Sequence, residues 1–167
     1  GEVSASCAKC HASSEGFVEF LTYGSNLSQE IANGLDCATC HTTFDTFDVR
    51  IVRTVVFPRG YETPPATGDG TDPATQSNLC MTCHQGRISK VQIDEAIAED
   101  NLRFLNVHYL AAGASLMGNL AQGGYEYETI NGEEVTYAGR WPHSETSTNN
   151  NCTDCHNASD TQHTFDP

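Results

Sequence analysis

All eight cysteines of this 167-residue chain occur in pairs with one spacing, and each pair is followed directly by a histidine. Two thiols at this spacing can bond to the two vinyl groups of a porphyrin, and the adjoining histidine is then held against the ring as an iron ligand. The Cys-x-x-Cys-His pattern is typical of c-type haem attachment. The four motifs are Cys7, Cys10 and His11; Cys37, Cys40 and His41; Cys80, Cys83 and His84; and Cys152, Cys155 and His156.

Other uses of paired cysteines explain this pattern less well. Disulfides are common in exported chains, but a disulfide framework gives no reason for a histidine after every second cysteine. Zinc sites also use such pairs, yet two pairs per metal would leave four histidines unexplained. A thioredoxin-like motif occurs once, near a βαβ pattern. The sequence therefore predicts four haems c with their irons, held by a single tetrahaem domain over residues 1–167.

Three histidines lie outside the motifs, and we expect each of them to bind an iron from the face opposite the motif histidine. His108 falls in residues 106–112, for which we predict a short helix with small residues that let a ring approach the backbone. His143 follows Trp141-Pro142, a stiff extended segment. His163 lies seven residues after the last motif histidine. The loop between His156 and His163 is too short to reach the opposite face of the haem that His156 binds. We therefore expect His163 to serve a neighbouring haem, in this chain or another.

Three spare histidines cannot complete four irons, and identical copies that exchange ligands keep the same deficit. The remaining ligand could be Met117, Met81, a lysine, an N-terminal amine or water. Met81 lies inside an attachment loop on the proximal side, which favours a bystander role. Met117 follows His108 by nine residues on what we predict to be the same helix, where ordinary packing is the alternative to ligation. An open position would allow small-molecule binding or redox catalysis.

The composition fits an interior that side chains alone do not fill. Only 38% of the residues are hydrophobic, against roughly 45–50% in an ordinary globular domain. Four flat apolar rings would supply the missing core. The sequence therefore predicts a mostly irregular, loop-rich multihaem fold organised around four haems, with a few short α-helices and a small β-hairpin.

The net charge of −14, from 22 acidic and 8 basic residues, limits the possible partners. No basic surface is present to neutralise nucleic-acid phosphates or to bind anionic lipid. No apolar run reaches the length of a membrane span. A solvated acidic surface that maintains solubility is the simplest interpretation; selection of cationic partners or divalent ions is the alternative.

Few segments have a clear secondary-structure pattern. We predict a helix at 15–21, a β-strand at 50–57 that ends at a proline, a surface loop at 61–78 and a helix at 88–100. Residues 125–137 contain Asn131-Gly132 between two strand-like runs, which predicts a hairpin.

Residues 1–4 do not resemble a leader peptide. Because prokaryotes attach haem c outside the cytoplasm, we nevertheless expect an exported protein whose leader has been removed. Asn26, Asn151 and Asn157 match the glycosylation pattern. We interpret the last two, which flank motif 4, as coincidence in an Asn- and Thr-rich chain, and use of any of the three would require a host with that machinery.

From Cys80 onward the chain resembles multihaem cytochromes of anaerobic bacteria and archaea, and within them the four-haem extracellular cytochromes that polymerise into filaments. The resemblance implies electron transport in anaerobic respiration, a homopolymer joined through haem contacts, and redox proteins or extracellular acceptors as partners. Members of that group often complete an iron site with a histidine from the next subunit. This chain lacks the fourth spare histidine. The residues that carry the resemblance are 83–87, 108–114, 123–127, 152–156 and 163–164.

Two further functions remain as alternatives to an extracellular filament. One is a discrete periplasmic or cell-surface electron shuttle. The other is a reductase of small oxyanions at the histidine-deficient haem, although such an enzyme needs a cationic pocket. Arg87 is the one obvious cation beside a motif, and an ion pair with a haem propionate explains it more simply. We therefore predict an electron carrier without catalytic residues.

Overall fold

Short helices separated by irregular chain make up most of the computed structural model. The structure describes residues 1–32, 34–66, 73–140, 151–154, 156 and 163. For residues 73–75 and 154 it describes the backbone alone. Within these ranges there are six α-helices and two antiparallel two-stranded sheets. This confirms a loop-rich fold. The helices are α1 (Ala5–His11), α2 (Ser13–Tyr23), α3 (Cys37–Cys40), α4 (Pro73–His84), α5 (Lys90–Ala98) and α6 (Ala112–Met117); the strands are β1 (Glu2–Val3), β2 (Gln29–Glu30), β3 (Thr129–Ile130) and β4 (Glu133–Glu134).

The predicted hairpin is confirmed, with shorter strands than the sequence pattern indicates. β3 pairs with β4 so that Thr129 faces Glu134 and Ile130 faces Glu133. The turn residues Asn131 and Gly132 both have positive φ, 53° and 84°. Two positive φ angles define the two-residue turn whose twist matches that of the strands, and Asn-Gly is its preferred sequence.

The predicted helices at 15–21 and 88–100 are also confirmed, as α2 and α5. α1 and α2 pack closely because Gly16 has no side chain: a Cβ at this position would lie 2.1 Å from the carbonyl oxygen of Ala8. α5 begins after Ser89, whose backbone N–H donates to Oε1 of Gln92 at 2.8 Å. This satisfies one of the donors that a helix start leaves unpaired.

The strand predicted at 50–57 is wrong, because no neighbouring strand accompanies this segment. The chain is extended there but forms only an isolated bridge from Val56 to Glu62. Its backbone instead bonds to nearby loops, with Arg50 N donating to Cys40 O and Phe57 N to Tyr61 O, both at 2.8 Å. The β-branched residues serve burial: Val52 and Val55 are 5% and 3% exposed.

Two other local predictions need correction. The surface loop predicted at 61–78 contains the start of α4, and Ser77 and Asn78 in it are buried. The helix predicted at 106–112 does not form, because His108 and Leu110 have positive φ of 78° and 52°. α6 begins only at Ala112, so His108 and Met117 do not share a helix.

A small core joins α2, the extended segment, α4 and α6. Many large apolar side chains lie outside it, including Phe104, Tyr109 and Leu110, which are 88%, 84% and 78% exposed. Among the described residues, no helix has the length and apolar character that crossing a bilayer requires. The core consists of Phe17, Val52, Val55, Phe57, Leu79, Met81, Ala114, Leu116, Met117 and Ala121.

Candidate haem sites

Helical turns present the cysteines of the first three motifs. α1, α3 and α4 each contain both cysteines of one motif, and α1 and α4 also contain its histidine. In a helix, residues three positions apart lie on the same face, so the two thiols of a motif can reach one porphyrin edge. Cys152 begins a 3₁₀ turn, Cys152–Asp154. Cys155 and His143 lie outside the described residues.

The histidines of motifs 2 and 3 are oriented by backbone carbonyls. Nδ1 of His41 lies 2.7 Å from Phe47 O, and Nδ1 of His84 lies 2.6 Å from Leu110 O. A carbonyl only accepts hydrogen bonds, so each Nδ1 must carry the proton. Nε2 is then the basic nitrogen, and such partners commonly orient metal-binding histidines.

Two of the spare histidines face motif histidines across short gaps. The ring centroids of His11 and His108 are 5.9 Å apart, and those of His41 and His163 are 6.2 Å apart. A metal–imidazole bond is about 2 Å long, so two such bonds in line, with the ring radii added, separate the centroids by about 6 Å. Both pairs therefore have the spacing of two axial ligands of one metal.

The His11–His108 pair borders a cavity of about 500 Å³ that Cys7 and Cys10 also line. This volume lies within the range of sites for small ligands and cofactors, roughly 300–1,000 Å³. Lys9 and Arg87 contribute positive charge to its wall, as the carboxylates of a haem require. The residues present thus fit a haem attached to motif 1.

His108 carries two marks of a binding residue. Its Nδ1 atom is buried without a hydrogen-bond partner among the described residues, and such orphaned groups call for a missing partner. Its φ of 78° is unfavourable for a residue with a side chain, and His163 has a φ of 50°. Asn106 Oδ1 accepts the His108 backbone N–H at 2.8 Å and stabilises this turn. Strained backbone tends to concentrate at functional sites.

Motifs 1 and 3 touch each other. Sγ of Cys10 lies 4.0 Å from Cys83 O, and Sγ of Cys83 lies 4.0 Å from Lys9 O. The pKa of the Cys10 thiol falls to about 7, first because Cys83 hydrogen-bonds to it, although burial opposes the shift. The pKa of Cys83 rises, first through the same hydrogen bond and then through burial.

Motif 4 packs on the same helix, α4. The backbone N–H of Cys152 donates to Oγ of Ser77 at 3.0 Å. The pKa of Cys80 is raised, first by a hydrogen bond with Cys152 and then by burial. Motif 3 therefore lies between motif 1, on its Cys83 side, and motif 4, on its Cys80 side.

Asp36 connects motif 2 to the helix that follows motif 1. Its Oδ2 accepts hydrogen bonds from Ser13 and Ser14 at 2.8 and 2.9 Å, and its Oδ1 accepts one from Thr39 N at 3.0 Å. Burial alone would raise the pKa of Asp36, but these hydrogen bonds outweigh it and lower the pKa. Arg50 fixes the same motif from the other side, with Nε donating to Ala38 O at 2.7 Å.

Sequence reasoning did not select Asp36 or Arg50. For Asp36 a signal existed: an acid directly before a helical motif, with Thr39 three residues later, is typical of a helix N-cap. Arg50 has no such signal, because its contact depends on how the chain folds back onto α3.

Replacing Asp36 with alanine in the holoprotein should lower the free energy of unfolding by about 1 kcal/mol through loss of the N-cap, or roughly 2–4 °C in Tm. Because the folded pKa is lowered, the carboxylate stabilises the fold above the unfolded pKa of about 3.9 and loses this effect as pH falls through the folded pKa. The Tm difference from the wild type should therefore shrink in acid. Calorimetry across pH checks this, with D48A as control, since the Asp48 side chain is exposed. An equal loss in D48A, or a difference independent of pH, would contradict the assignment.

Comparison with known proteins agrees with the motifs. The chain is 31% identical, over 196 aligned positions, to the C-type polyheme cytochrome OmcB of two Geobacter sulfurreducens strains; the match covers 97% of this chain and 26% of the relative. It is 34% identical over 147 positions to the C-type polyheme cytochrome OmcC of G. sulfurreducens; this match covers 80% of this chain and 19% of the relative. The chain thus spans about a quarter of the length of the first of these curated relatives. No protein-family model and no solved structure matches the chain.

Proposed function

Since this chain belongs to the multihaem c-type cytochromes, we propose that it is an electron carrier in which four haems c, attached at the four motifs of residues 1–167, pass electrons to one another. The haem iron, when bound, supplies one-electron redox chemistry. The polypeptide holds each ring by two thioethers, orients the axial histidines and sets the solvent exposure that tunes the potential.

The observation that carries this proposal is the pairing of histidines across short gaps. His11 with His108 and His41 with His163 have the separation expected of two ligands on one iron. Two strong nitrogen ligands leave an iron no vacant position for a substrate. In this proposal haems 1 and 2 therefore exchange electrons without binding reactants, and His143 ligates haem 3 or haem 4.

The contacts between motifs support a route through the chain. Cys83 contacts motif 1 and Cys80 contacts Cys152 of motif 4; both belong to motif 3. Because each cysteine fixes one edge of its haem, haem 3 would lie between haems 1 and 4. The proposed route therefore runs 1–3–4, an order that differs from the order of the motifs in the sequence.

The charge distribution favours a carrier over an oxyanion reductase. The chain has 22 acidic and 8 basic residues, and a site that attracts anions needs a positive field. Arg87 and Lys9 line the same cavity beside motif 1, where they would neutralise the carboxylates of haem 1. This leaves them unsuited to guiding an anionic substrate elsewhere.

Mass spectrometry and a redox titration test the electron-carrier proposal. The intact holoprotein, unfolded in acidified organic solvent, should exceed the polypeptide mass by four haems, because thioethers survive that treatment. A spectroscopic redox titration should take up four electrons per chain. Fewer than four retained haems, or haems that do not undergo reversible reduction, would contradict the proposal. The apoprotein prepared without haem attachment is the mass reference.

We further propose that the protein functions outside the cytoplasm, at the cell surface or beyond it, as a homopolymer that extends the haem chain between copies and delivers electrons to redox proteins or extracellular acceptors. Large exposed apolar residues such as Phe104 and Tyr109 offer surface for contacts between copies. A discrete periplasmic or surface shuttle is the alternative. Negative-stain electron microscopy of concentrated holoprotein distinguishes the two: filaments support the polymer, and uniformly dispersed small particles support the shuttle.

A further inference from the structure

We propose that one short segment, residues 106–110, couples the iron sites of motifs 1 and 3. In this segment His108 binds the iron of haem 1, the carbonyl of Leu110 orients His84 at haem 3, and Asn106 is the positioning residue that holds the turn between them. The inference rests on the proposed attachment of haems at motifs 1 and 3. It adds that a change in the 106–110 segment alters both sites together.

The 106–110 segment is bonded to motif 3 and the residues after it on both sides of His108. On one side, the carbonyl of Val107 accepts the backbone N–H of Arg87 at 3.2 Å. On the other side, the carbonyl of Leu110 accepts a hydrogen bond from Nδ1 of His84 at 2.6 Å. A movement of the segment therefore acts directly on the histidine of motif 3.

The ring of His108, between these two bonds, lies beside motif 1 instead. Its centroid is 5.9 Å from that of His11, and the two ring planes cross at 83°. His108 lines the cavity beside motif 1, and Arg87, which donates to the segment, lines the same cavity. Motifs 1 and 3 also touch through Cys10 and Cys83. The segment thus holds a ligand for one site and a hydrogen-bond acceptor for the ligand of the next.

Two residues with left-handed backbone give the 106–110 segment its shape. His108 and Leu110 have φ of 78° and 52°, a region that residues with a side chain rarely adopt. Oδ1 of Asn106 accepts the backbone N–H of His108 at 2.8 Å, which closes the turn. The Leu110 side chain is 78% exposed, so its packing does not impose this conformation. Strained backbone persists where surrounding contacts fix it, and the hydrogen bond from His84 is such a contact.

The variants L110V and L110G test the effect on haem 3. Valine is β-branched and strongly disfavours positive φ, whereas glycine adopts it readily. In L110V the carbonyl should turn away from His84, whose imidazole then becomes a less basic ligand and stabilises the ferric state less. We expect the equilibrium constant for reduction of haem 3 to rise about tenfold, equivalent to about 59 mV for one electron. Potentiometric titration of the holoprotein measures this shift, and L110G should keep the wild-type potential.

Electron paramagnetic resonance of the oxidised holoprotein measures the effect on haem 1. Nearly perpendicular axial imidazole planes give a highly anisotropic low-spin signal, and smaller crossing angles give a rhombic one. L110V should move the haem 1 signal toward the rhombic form. N106A removes the acceptor of the His108 N–H and should shift both haems in the same directions as L110V. N106D retains an acceptor and L110G retains the turn, so both should keep the wild-type signal.

Two kinds of control make the result specific. The double variants C7A/C10A and C80A/C83A assign the signals, since each removes the attachment of one of the two haems. L102V is the matched substitution, because Leu102 is 62% exposed and its φ is not positive; it should change neither site. If L110V or N106A left either haem unchanged, or if L102V had the same effect, the inference would be overturned. A wild-type mass that lacks haem at motif 1 or 3 would instead contradict the proposed function, so the two failures are distinguishable.

Discussion

Replacing His108 with alanine should convert one haem from low to high spin and raise its reduction potential by more than about 100 mV, well within the ~0.8 V range that axial ligands cover. The reason is geometric: the ring centroids of His108 and His11 are 5.9 Å apart, so in the proposed coordination the removal of His108 leaves one nitrogen ligand on haem 1. The ferric state loses more stabilisation than the ferrous state when a basic ligand departs. Electron paramagnetic resonance and potentiometric titration measure the two changes.

Two additions make the His108 experiment specific. Imidazole supplied in solution should bind at the vacated position of H108A and restore the low-spin signal, which a merely misfolded variant would not do. Y109F is the matched control, because Tyr109 adjoins His108 in sequence, is 84% exposed and should keep the wild-type spectrum. A fully low-spin haem 1 in H108A would show that another residue completes this iron.

Removing the attachment of haem 3 should have the largest effect on electron movement within the chain. The double variant C80A/C83A removes the attachment of the haem that we propose lies between those of motifs 1 and 4. We expect the rate of exchange between haems 1 and 4 to fall by at least about tenfold, equivalent to an added barrier of about 1.4 kcal/mol. Transient absorption after photoreduction of the holoprotein measures the rate, and intact mass verifies the loss of a single haem.

The control is the same pair of cysteine-to-alanine substitutions in motif 2. C37A/C40A also removes one haem and its thioethers. Cys40 lies near Cys80 and Cys83, but the proposed route 1–3–4 does not pass through motif 2. We expect exchange between haems 1 and 4 to stay within about twofold of the wild type, a change of less than about 0.5 kcal/mol. If both double variants slow the exchange equally, the position of haem 3 has no special role.

Local patterns predicted local structure well and long-range pairing poorly. The Asn131-Gly132 hairpin and helices α2 and α5 follow from turn chemistry and helical periodicity, which neighbouring residues determine. The β-branched run at 50–57 indicates a strand, but a strand also needs a partner, and the pattern carries no information about one. Here the run lies extended across the core, with Val52 and Val55 buried. The pairing of β1 with β2 has no sequence signal, because both strands are two residues long.

The candidate sites show the same difference between local features, which the sequence predicts, and long-range contacts, which it does not. Spacing alone predicts the attachment motifs, because the two cysteines and the histidine of each motif lie within five residues. Which spare histidine lies beside which motif depends on contacts far apart in sequence: His41 and His163 are 122 positions apart in the chain of 167 residues. That His163 serves a haem other than its nearest stays a prediction; the structure places its ring 6.2 Å from that of His41, a position that spacing could not indicate.

The contact between Cys10 and Cys83 also bears on biogenesis. A thiol whose pKa is about 7 is about half ionised near neutral pH and more reactive than an ordinary cysteine, and its neighbour here belongs to a different motif. If a two-electron oxidant joined these two sulfurs before haem attachment, the disulfide would remove one sulfur from each of two proposed attachment sites. We therefore expect haem attachment at motifs 1 and 3 to precede the docking of α1 against α4.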